Sequence, residues 1–579
     1  MQPEGNWKVL PAISWMSRYN RKTFSADLSA GFVVMLLLVP QSLAYAMLAG
    51  LPPQMGLYAA MFPLLLYALF GTSSALAVGP VAVVSLMLAS AVGRVAEAGS
   101  SDYITATLTL AFISGLFLLA MGFLRLGFLA NFLSHPVISG FISAAGVLIA
   151  ASQLGYLVGV ETNGSELMEL LTGLFTASGI DPLSAGFGLG SLLALWWCRT
   201  ALVRLLLRIG LPDSMALMLV RTSTVWVVVL ATAICWWFGL DHEGLAVVGA
   251  IPSGLPVLTL PSLSLDYWQV LIGSALLISA VGFVESVSLA QAFAARRRQR
   301  IDPDQELIAL GMANLSASVS GGYPVAGSLS RTGVNVDAGA VTPAAGIITA
   351  GFLFLLLPWA GPILYFLPVP TLAATIVIAV IGLIDLEMIQ RTWRYSKSDF
   401  TAMATTVVVT LVAGVELGIL SGVVISVLLY LFRTSRPHMA VVGQIQGTEH
   451  FRNVDRFDVV LSPRVVTIRV DGSLYFANAR YLEDQIYKRV AGDCELRHLI
   501  LMCPGINDID ASALESLEAI NERLGSAGIS LHLSEVKGPV MDKLKRTGFQ
   551  QELTGNIYLS QYQAMLQLEP ELTEKTVVS

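Results

Sequence analysis

The chain has 579 residues, of which 55% are hydrophobic and 13% charged, with a mean hydropathy of +0.70. Soluble chains carry about a quarter charged residues, so most of this one belongs inside a lipid bilayer. The net charge of −6 argues against nucleic acid as a partner, and the N-terminus has no short apolar core with a small-residue cleavage site, so no cleaved signal peptide is expected.

Residues 1–25 are polar and basic (Lys8, Arg18, Arg21, Lys22) and are expected on the cytoplasmic surface. Apolar segments then follow at about 28–47, 54–70, 79–93, 103–123, 133–153, 183–203, 220–239, 267–292, 304–320, 330–340, 343–360, 368–385, 399–416 and 417–433. Several are shorter than the roughly 20 helical residues that cross the hydrocarbon core. They make fourteen crossing or half-crossing segments in a transport domain over 26–436, split seven and seven by the polar connection near 240–266 into repeats of about 28–240 and 267–433. With the N-terminus inside, Arg125, Arg199, Arg204, Arg208, Arg296, Arg297, Arg298, Arg300, Arg391, Arg394 and Lys397 fall on the cytoplasmic side. The outer side keeps Arg94, among acids such as Glu161, Glu166, Asp241 and Glu243. That is the positive-inside bias, and it puts both termini in the cytoplasm. Glu416, between two spans, reads as solvated.

After Arg436 the texture changes to that of a soluble α/β domain over 440–566, followed by a flexible tail over 567–579. Val465–Val470, His498–Met502 and Ile529–Leu533 read as strands, and Asn478–Val490 and Ala511–Ser526 as amphipathic helices, which implies a small sheet covered by helices. The four cysteines, Cys198, Cys235, Cys494 and Cys503, have neither metal nor disulfide spacing and read as core thiols, so no metal or cofactor is expected.

Two stretches break the apolar pattern. Gly321-Gly-Tyr-Pro-Val-Ala-Gly-Ser-Leu-Ser-Arg-Thr-Gly-Val-Asn335 holds a glycine pair, a proline, serines and an arginine between apolar segments. Irregular backbone cannot face lipid, because each unsatisfied amide or carbonyl costs several kcal/mol there. Tyr323–Ala326 therefore reads as a short buried extended piece, and the chain from about Ser330 as a half-length helix whose free N–H groups and positive dipole end lie at membrane depth. Gly71-Thr-Ser-Ser-Ala-Leu-Ala-Val-Gly-Pro-Val-Ala-Val-Val-Ser85 repeats the grammar, with Ala75–Val78 extended and Pro80 in the first helical turn. Paired interruptions of this kind point to a transporter of inverted repeats, with opposed half-helices meeting at the substrate near the bilayer midplane.

The polar side chains inside the spans are the candidates for chemistry. Arg331, beside Ser328, Leu329 and Ser330, can hold an oxyanion in a bidentate fork. Gln41 follows Pro40, whose ring breaks the helical ladder, and offers amide donors to an oxyanion; Tyr45 lies one turn on along the same face, and Val81 opposite supplies an apolar contact. Glu285 interrupts an apolar run; burial raises such a carboxyl's pKa and a nearby arginine lowers it, which suits a proton carrier or a structural partner for Arg331.

These residues resemble the SulP family of sulfate permease-like anion transporters, of the bacterial type, which carry a C-terminal STAS domain. Pro40-Gln-Ser-Leu-Ala-Tyr-Ala-Met-Leu-Ala-Gly-Leu-Pro-Pro53 with Gly56-Leu-Tyr58 looks like the signature of the first span; Gly79-Pro-Val-Ala-Val-Val-Ser-Leu-Met87 is similar to the third, Ser328-Leu-Ser-Arg-Thr332 to the tenth, and Asp508-Ile-Asp-Ala-Ser-Ala-Leu514 to the STAS loop before a helix. The resemblance implies a core of spans 1–4 and 8–11 moving against a gate of spans 5–7 and 12–14, a homodimer, and Gln41 facing the substrate. It places Ser512 where STAS regulators are phosphorylated, although a serine at a helix start also serves as a cap. Sodium-coupled members carry Asp with a hydroxyl one turn later; here Leu289 and Ser288 stand there, which favours the proton over sodium.

The expectation is an α-helical membrane protein of fourteen segments in 7+7 inverted repeats with a cytoplasmic α/β STAS domain. It is expected in the inner membrane as a proton-coupled secondary transporter of a small oxyanion, sulfate first. Bicarbonate with sodium, a C4-dicarboxylate and chloride are the rival substrates. A membrane-anchored signalling protein whose STAS domain binds a cytoplasmic partner is the rival class, and the mid-span Gln41, Glu285 and Arg331 argue against it. No nucleophile–base pair or phosphate loop suggests an enzyme.

Overall fold

The computed structural model describes residues 10–132, 134–160, 167–176, 179–251, 256, 258–491 and 495–573. Lys8, Glu161, Glu166, Cys494 and residues 574–579 lie outside the described residues. The chain divides into a unit ending at Ser426 and a unit beginning at Val427.

Each of the fourteen apolar segments corresponds to helix in the first unit or at its end. They are α1 (Arg21–Leu48), the broken pair α2 (Gln54–Tyr58) and α3 (Phe62–Phe70), α4 (Ala82–Val92), α5 (Ser101–Phe123), α6 (His135–Val158), α7 (Pro182–Trp197) and α8 (Ser223–Phe238). The second seven are α9 (Leu265–Arg296), α10 (Pro303–Val319), α11 (Leu329–Asp337), α12 (Ala344–Leu364), α13 (Val369–Ile381), α14 (Lys397–Ala413) and α15 (Val415–Ser435). Seven helical stretches among the described residues are long and apolar enough to cross a membrane alone, while α4 and α11, with 11 and 9 residues, are far too short. Pro40 does not interrupt α1, which runs through it unbroken. A proline removes one N–H from the ladder, and the helices packed around α1 hold it together there. The α5–α10 contact is close because Gly115 and Gly311 sit in it: a Cβ on Gly311 would lie 3.0 Å from the Gly115 carbonyl oxygen.

Short strands precede the two half-length helices, β1 (Val78–Gly79) before α4 and β2 (Ala326–Gly327) before α11. They pair antiparallel, Val78 opposite Gly327 and Gly79 opposite Ala326. Pro80 falls before α4, whose N-cap is Val81, so the extended piece is two residues longer than its spacing suggests.

The second unit carries a six-stranded sheet of β3 (Met439–Gln444), β4 (Phe451–Asn453), β5 (Val465–Val470), β6 (His498–Met502), β7 (Ser530–Ser534) and β8 (Ile557–Tyr558), ordered β4-β3-β5-β6-β7-β8. Strands β5 to β8 run parallel, β5 joined to β6 through α16 (Ala479–Val490) and β6 to β7 through α17 (Ala511–Ser526), while β3 pairs antiparallel with β4 and β5. Leu482, Ile486, Leu517 and Ile520 pack on Leu499, Leu501 and Leu531 to form its core. The expected flexible tail is helical at its start: α18 (Gln561–Leu568) is followed by a turn at 570–573 in which Thr573 is buried.

His532 lies within this sheet, 3% exposed. The Asn556 N–H donates to its Nδ1 at 2.9 Å, so that nitrogen carries no proton, and Nε2 lies 3.2 Å from His498 Nδ1. Burial, then the neighbouring His498, pushes the His532 pKa down to about 4. An unfolded histidine titrates near 6.5, so the unfolded chain takes up the proton first as pH falls. The resulting loss is nil above about pH 6.5 and grows towards pH 4, reaching about 2 kcal/mol after allowance for screening. Hydrogen exchange on the full chain should therefore show β6 and β7 losing protection between pH 7 and pH 5, with a shallower loss in His532→Gln; equal slopes would exclude His532 as the cause.

Candidate functional site

The β1–β2 crossing sits inside the helical bundle, where its backbone must find partners within the protein. The Ser328 N–H donates to the Ala77 carbonyl at 3.1 Å, and the Ala77 N–H to Thr332 Oγ1 at 3.0 Å. Asn335 Nδ2 donates to the Ala75 carbonyl at 2.9 Å. From α10, Asn314 Oδ1 accepts the Val325 N–H at 3.0 Å while its Nδ2 donates to the Val325 carbonyl at 3.1 Å. From α9, the Ser286 hydroxyl accepts the Gly327 N–H at 2.8 Å and donates to the Gly282 carbonyl.

The half-helices are treated differently from the strands. Neither α4 nor α11 receives a side-chain cap, although Asp302 caps α10, Ser264 caps α9 and Ser100 caps α5. The N-cap residues Val81 and Ser328 are extended and buried. The first-turn N–H groups of both helices thus lack intrahelical partners, and the positive dipole ends meet across the crossing. Ser328 Oγ turns to Ser330 Oγ at 3.3 Å instead of capping. Leu329 and Ser330 are exposed, so this helix start opens onto free space.

Arg331 is 1% exposed and projects from the first turn of α11. Its Nη1 donates to Gln41 Oε1 at 3.4 Å, a long bond, and neither Nε nor Nη2 has a hydrogen-bond partner. Gly79 makes room for it: a Cβ there would lie 3.4 Å from Nη2. Tyr45, Tyr323 and Glu285 all lie within electrostatic reach of the guanidinium, and Tyr45 is itself buried. Glu285 makes no ion pair with Arg331, contrary to the structural pairing that the sequence left open; its Oε2 is buried without a partner. The cluster therefore holds one cation with two open donors, two unfilled helix N-termini, the Gln41 amide and two hydroxyls. It can surround a small oxyanion with charge-assisted hydrogen bonds.

Two other buried carboxylates show what a structural acid looks like here. Glu306 accepts from Tyr67 Oη at 2.7 Å, Thr72 N–H at 2.7 Å, Thr72 Oγ1 at 2.6 Å and Ser73 N–H at 3.1 Å. Asp27 accepts the N–H groups of Val341 and Thr342 and the Thr342 hydroxyl. Glu285 has no such cage.

Several expected placements change. Ser288 is exposed, and Ser286 is the hydroxyl that reaches the crossing. Glu416 is 8% exposed, not solvated: at the start of α15 it accepts from Ser274 Oγ at 2.7 Å and pairs with Arg94 at 2.8 Å. Arg199, on the π-helical turn Cys198–Leu202, donates to the Ile378 carbonyl at 2.6 Å near the end of α13. In the second unit Asp510 caps α17 by accepting the Ala513 N–H at 2.8 Å; Ser512 is exposed and is not the cap. Asn314, Ser286 and Gly79 also belong to the site, though nothing in the sequence singled out Ser286 or Gly79. An amide in the middle of the apolar run after Glu306 was the available signal for Asn314.

A helical membrane bundle with opposed, uncapped half-helices around a buried arginine, carrying a separate α/β domain, is the architecture of a membrane anion transporter. The chain belongs to the sulfate permease family: that family's profile matches residues 24–406, and the STAS domain profile matches 456–564. Sulfate transporter 4.1, chloroplastic, of Arabidopsis thaliana is 34% identical over 93% of this chain and 79% of its own length. A probable sulfate transporter of Mycobacterium tuberculosis is 31% identical over 92% of this chain and 93% of its own. The solved structure of the murine Solute Carrier 26 family member A9 anion transporter shares the fold, with a TM-score of 0.88 at 23% identity over 98% of this chain and 96% of that one. The transmembrane domain of a cyanobacterial bicarbonate transporter overlays with a TM-score of 0.58 at 22% identity, over 71% of this chain and 98% of that one.

The crossing makes a prediction of its own. Asn314→Leu leaves the Val325 N–H and carbonyl without partners in an apolar surrounding, at about 1–3 kcal/mol for each group. Thermal unfolding of the purified protein should drop by several degrees, and a variant as stable as wild type would mean that water or another group takes over both bonds.

Proposed function

We propose that this chain is a proton-coupled secondary transporter of sulfate, working by alternating access with the anion held between the N-termini of α4 and α11. The observation that carries the reading is the buried Arg331 with two unengaged donors at an uncapped half-helix start. A guanidinium without counter-charge at membrane depth is costly, and an anion supplies the missing charge. Gln41, Ser328 and Ser330 add donors, Leu329 and Val81 apolar contact, and Tyr45 the pocket wall. Sulfate is favoured over other anions by the relatives described as sulfate transporters.

Glu285 is the proton carrier in this reading. Its unpartnered carboxylate shares electrostatic range with Arg331, so proton and anion each weaken the other's competitor for that cation. By linkage, each then raises the affinity for the other by the same factor. A sodium site is less well supported, because Ser288 is exposed and Ser286 is already engaged on both sides. We further propose a homodimer in the inner membrane with both termini in the cytoplasm. The STAS domain serves there in regulation or assembly, with exposed Ser512 available for modification.

Counterflow of labelled sulfate in proteoliposomes, competed by a panel of oxyanions, tests the substrate; wild-type protein that no anion competes would leave the signalling alternative standing. Arg331→Ala should abolish saturable uptake with folding intact, and retained wild-type affinity would remove Arg331 from the site. Glu285→Gln fixes the neutral form, so it should still exchange sulfate yet fail to accumulate it from a pH gradient. Normal accumulation by that variant would remove Glu285 as carrier.

A further inference from the structure

Arg94 and Glu416 are the charged pair that the site does not use. Arg94 follows the last turn of α4, the half-helix that begins at the site, and Glu416 lies in the first turn of α15. A cation beyond a helix C-terminus and an acid at a helix N-terminus each suit the local dipole. The Arg94 side chain is 60% exposed and that of Glu416 only 10%, and the second Glu416 oxygen takes the Ser274 hydroxyl of α9. One buried carboxylate of the last span thus ties the far end of α4, which presents its N-terminus at the site, to the N-terminal half of α9, which carries Glu285.

A cavity of about 520 Å³ lies beside this tie. Along α4 its lining runs Arg94, Gly93, Ser90, Ala89 and Leu86, and stops four residues short of the helix start at Ala82. Leu48 of α1 joins Leu86 in the lining, whereas Gln153, Tyr156 and Val415 line it from α6 and α15. The half-helix has 11 residues, which sets the tie roughly 17 Å from the site. Glu97 also lines the cavity, so two acids stand near one arginine and the space is poorly suited to storing an anion.

We infer that Arg94, Glu416 and Ser274 form a latch that holds α4 and α9 against α15 while the outer path is shut, and that the cavity is the outer vestibule, which deepens past Leu48 and Leu86 when the latch parts. The three are positioning residues: they set the balance between the two faces of the transport cycle and touch no anion. This rests on the alternating-access reading above. An ion pair with one exposed partner is worth about 1 kcal/mol at most, so losing it shifts that balance by about five-fold.

The test is labelling of Ser90→Cys by a membrane-impermeant thiol reagent, in full-length protein whose Cys198, Cys235, Cys494 and Cys503 are replaced by serine. Glu416→Gln and Arg94→Gln should each speed labelling about five-fold, and Ser274→Ala should speed it less. Glu97→Gln, which lines the same cavity outside the latch, should leave the rate unchanged. If Glu416→Gln does not fold, Arg94→Gln carries the measurement alone, since its side chain is largely exposed. Unchanged labelling in folded Arg94→Gln overturns the latch, and so does equal acceleration by Glu97→Gln, which would trace the effect to vestibule charge. The labelling needs no transported anion, so its outcome stands apart from whether sulfate shows counterflow.

Discussion

Two pairs of extended residues, Val78–Gly79 and Ala326–Gly327, cross inside the bundle, and everything at the site depends on how their backbone is satisfied. Hydrocarbon offers no hydrogen bonds, so the polar atoms of any non-helical segment must be matched by protein. The strands pair with each other, and Thr332, Asn335, Asn314 and Ser286 take the groups that remain. The strands are satisfied by side chains while the helix starts receive no side-chain cap. An ordinary capped helix would have spent its first-turn N–H groups internally.

The carboxylates inside the membrane unit separate structure from chemistry. Glu306 and Asp27 are each held by several donors from neighbouring segments, which fixes their position and ties distant parts of the chain together. Glu285 has an oxygen with no donor at all and a cation nearby that does not touch it. A carboxyl so placed changes protonation at smaller cost than a caged one, because no hydrogen bond has to be broken first. Arg331 is its complement, a buried cation that is incompletely partnered. Both are charged groups left short of partners, which costs more in a buried setting than an unpartnered hydroxyl does.

How far the sequence carried can be seen residue by residue. Fourteen apolar segments, the two interruptions, the half-helices and the prominence of Gln41, Arg331 and Glu285 were legible, because the bilayer makes every polar group among apolar neighbours conspicuous. The β5–α16–β6–α17–β7 core of the second unit was legible for a related reason, since its strands and helices differ in hydrophobic period. The edge strands β4 and β8, three and two residues long, were too short to show a period, and β3 beside β4 was missed with them.

Other features belong to tertiary structure alone. Ser286 and Ser288 are equivalent as letters; only the packing of α9 against β2 turns the first to the crossing and leaves the second exposed. Glu416 reads as a solvated loop acid until Arg94 and Ser274, from segments over a hundred residues away in the chain, are brought onto it. Whether Glu285 pairs with Arg331 or merely faces it is a matter of a few ångströms between helices, which no spacing along the chain encodes. Composition and periodicity settle which groups must be buried, since burial is a free-energy difference that each residue type carries with it. Which partner each buried polar group finds is settled only when the helices meet, because a hydrogen bond depends on position to a fraction of an ångström.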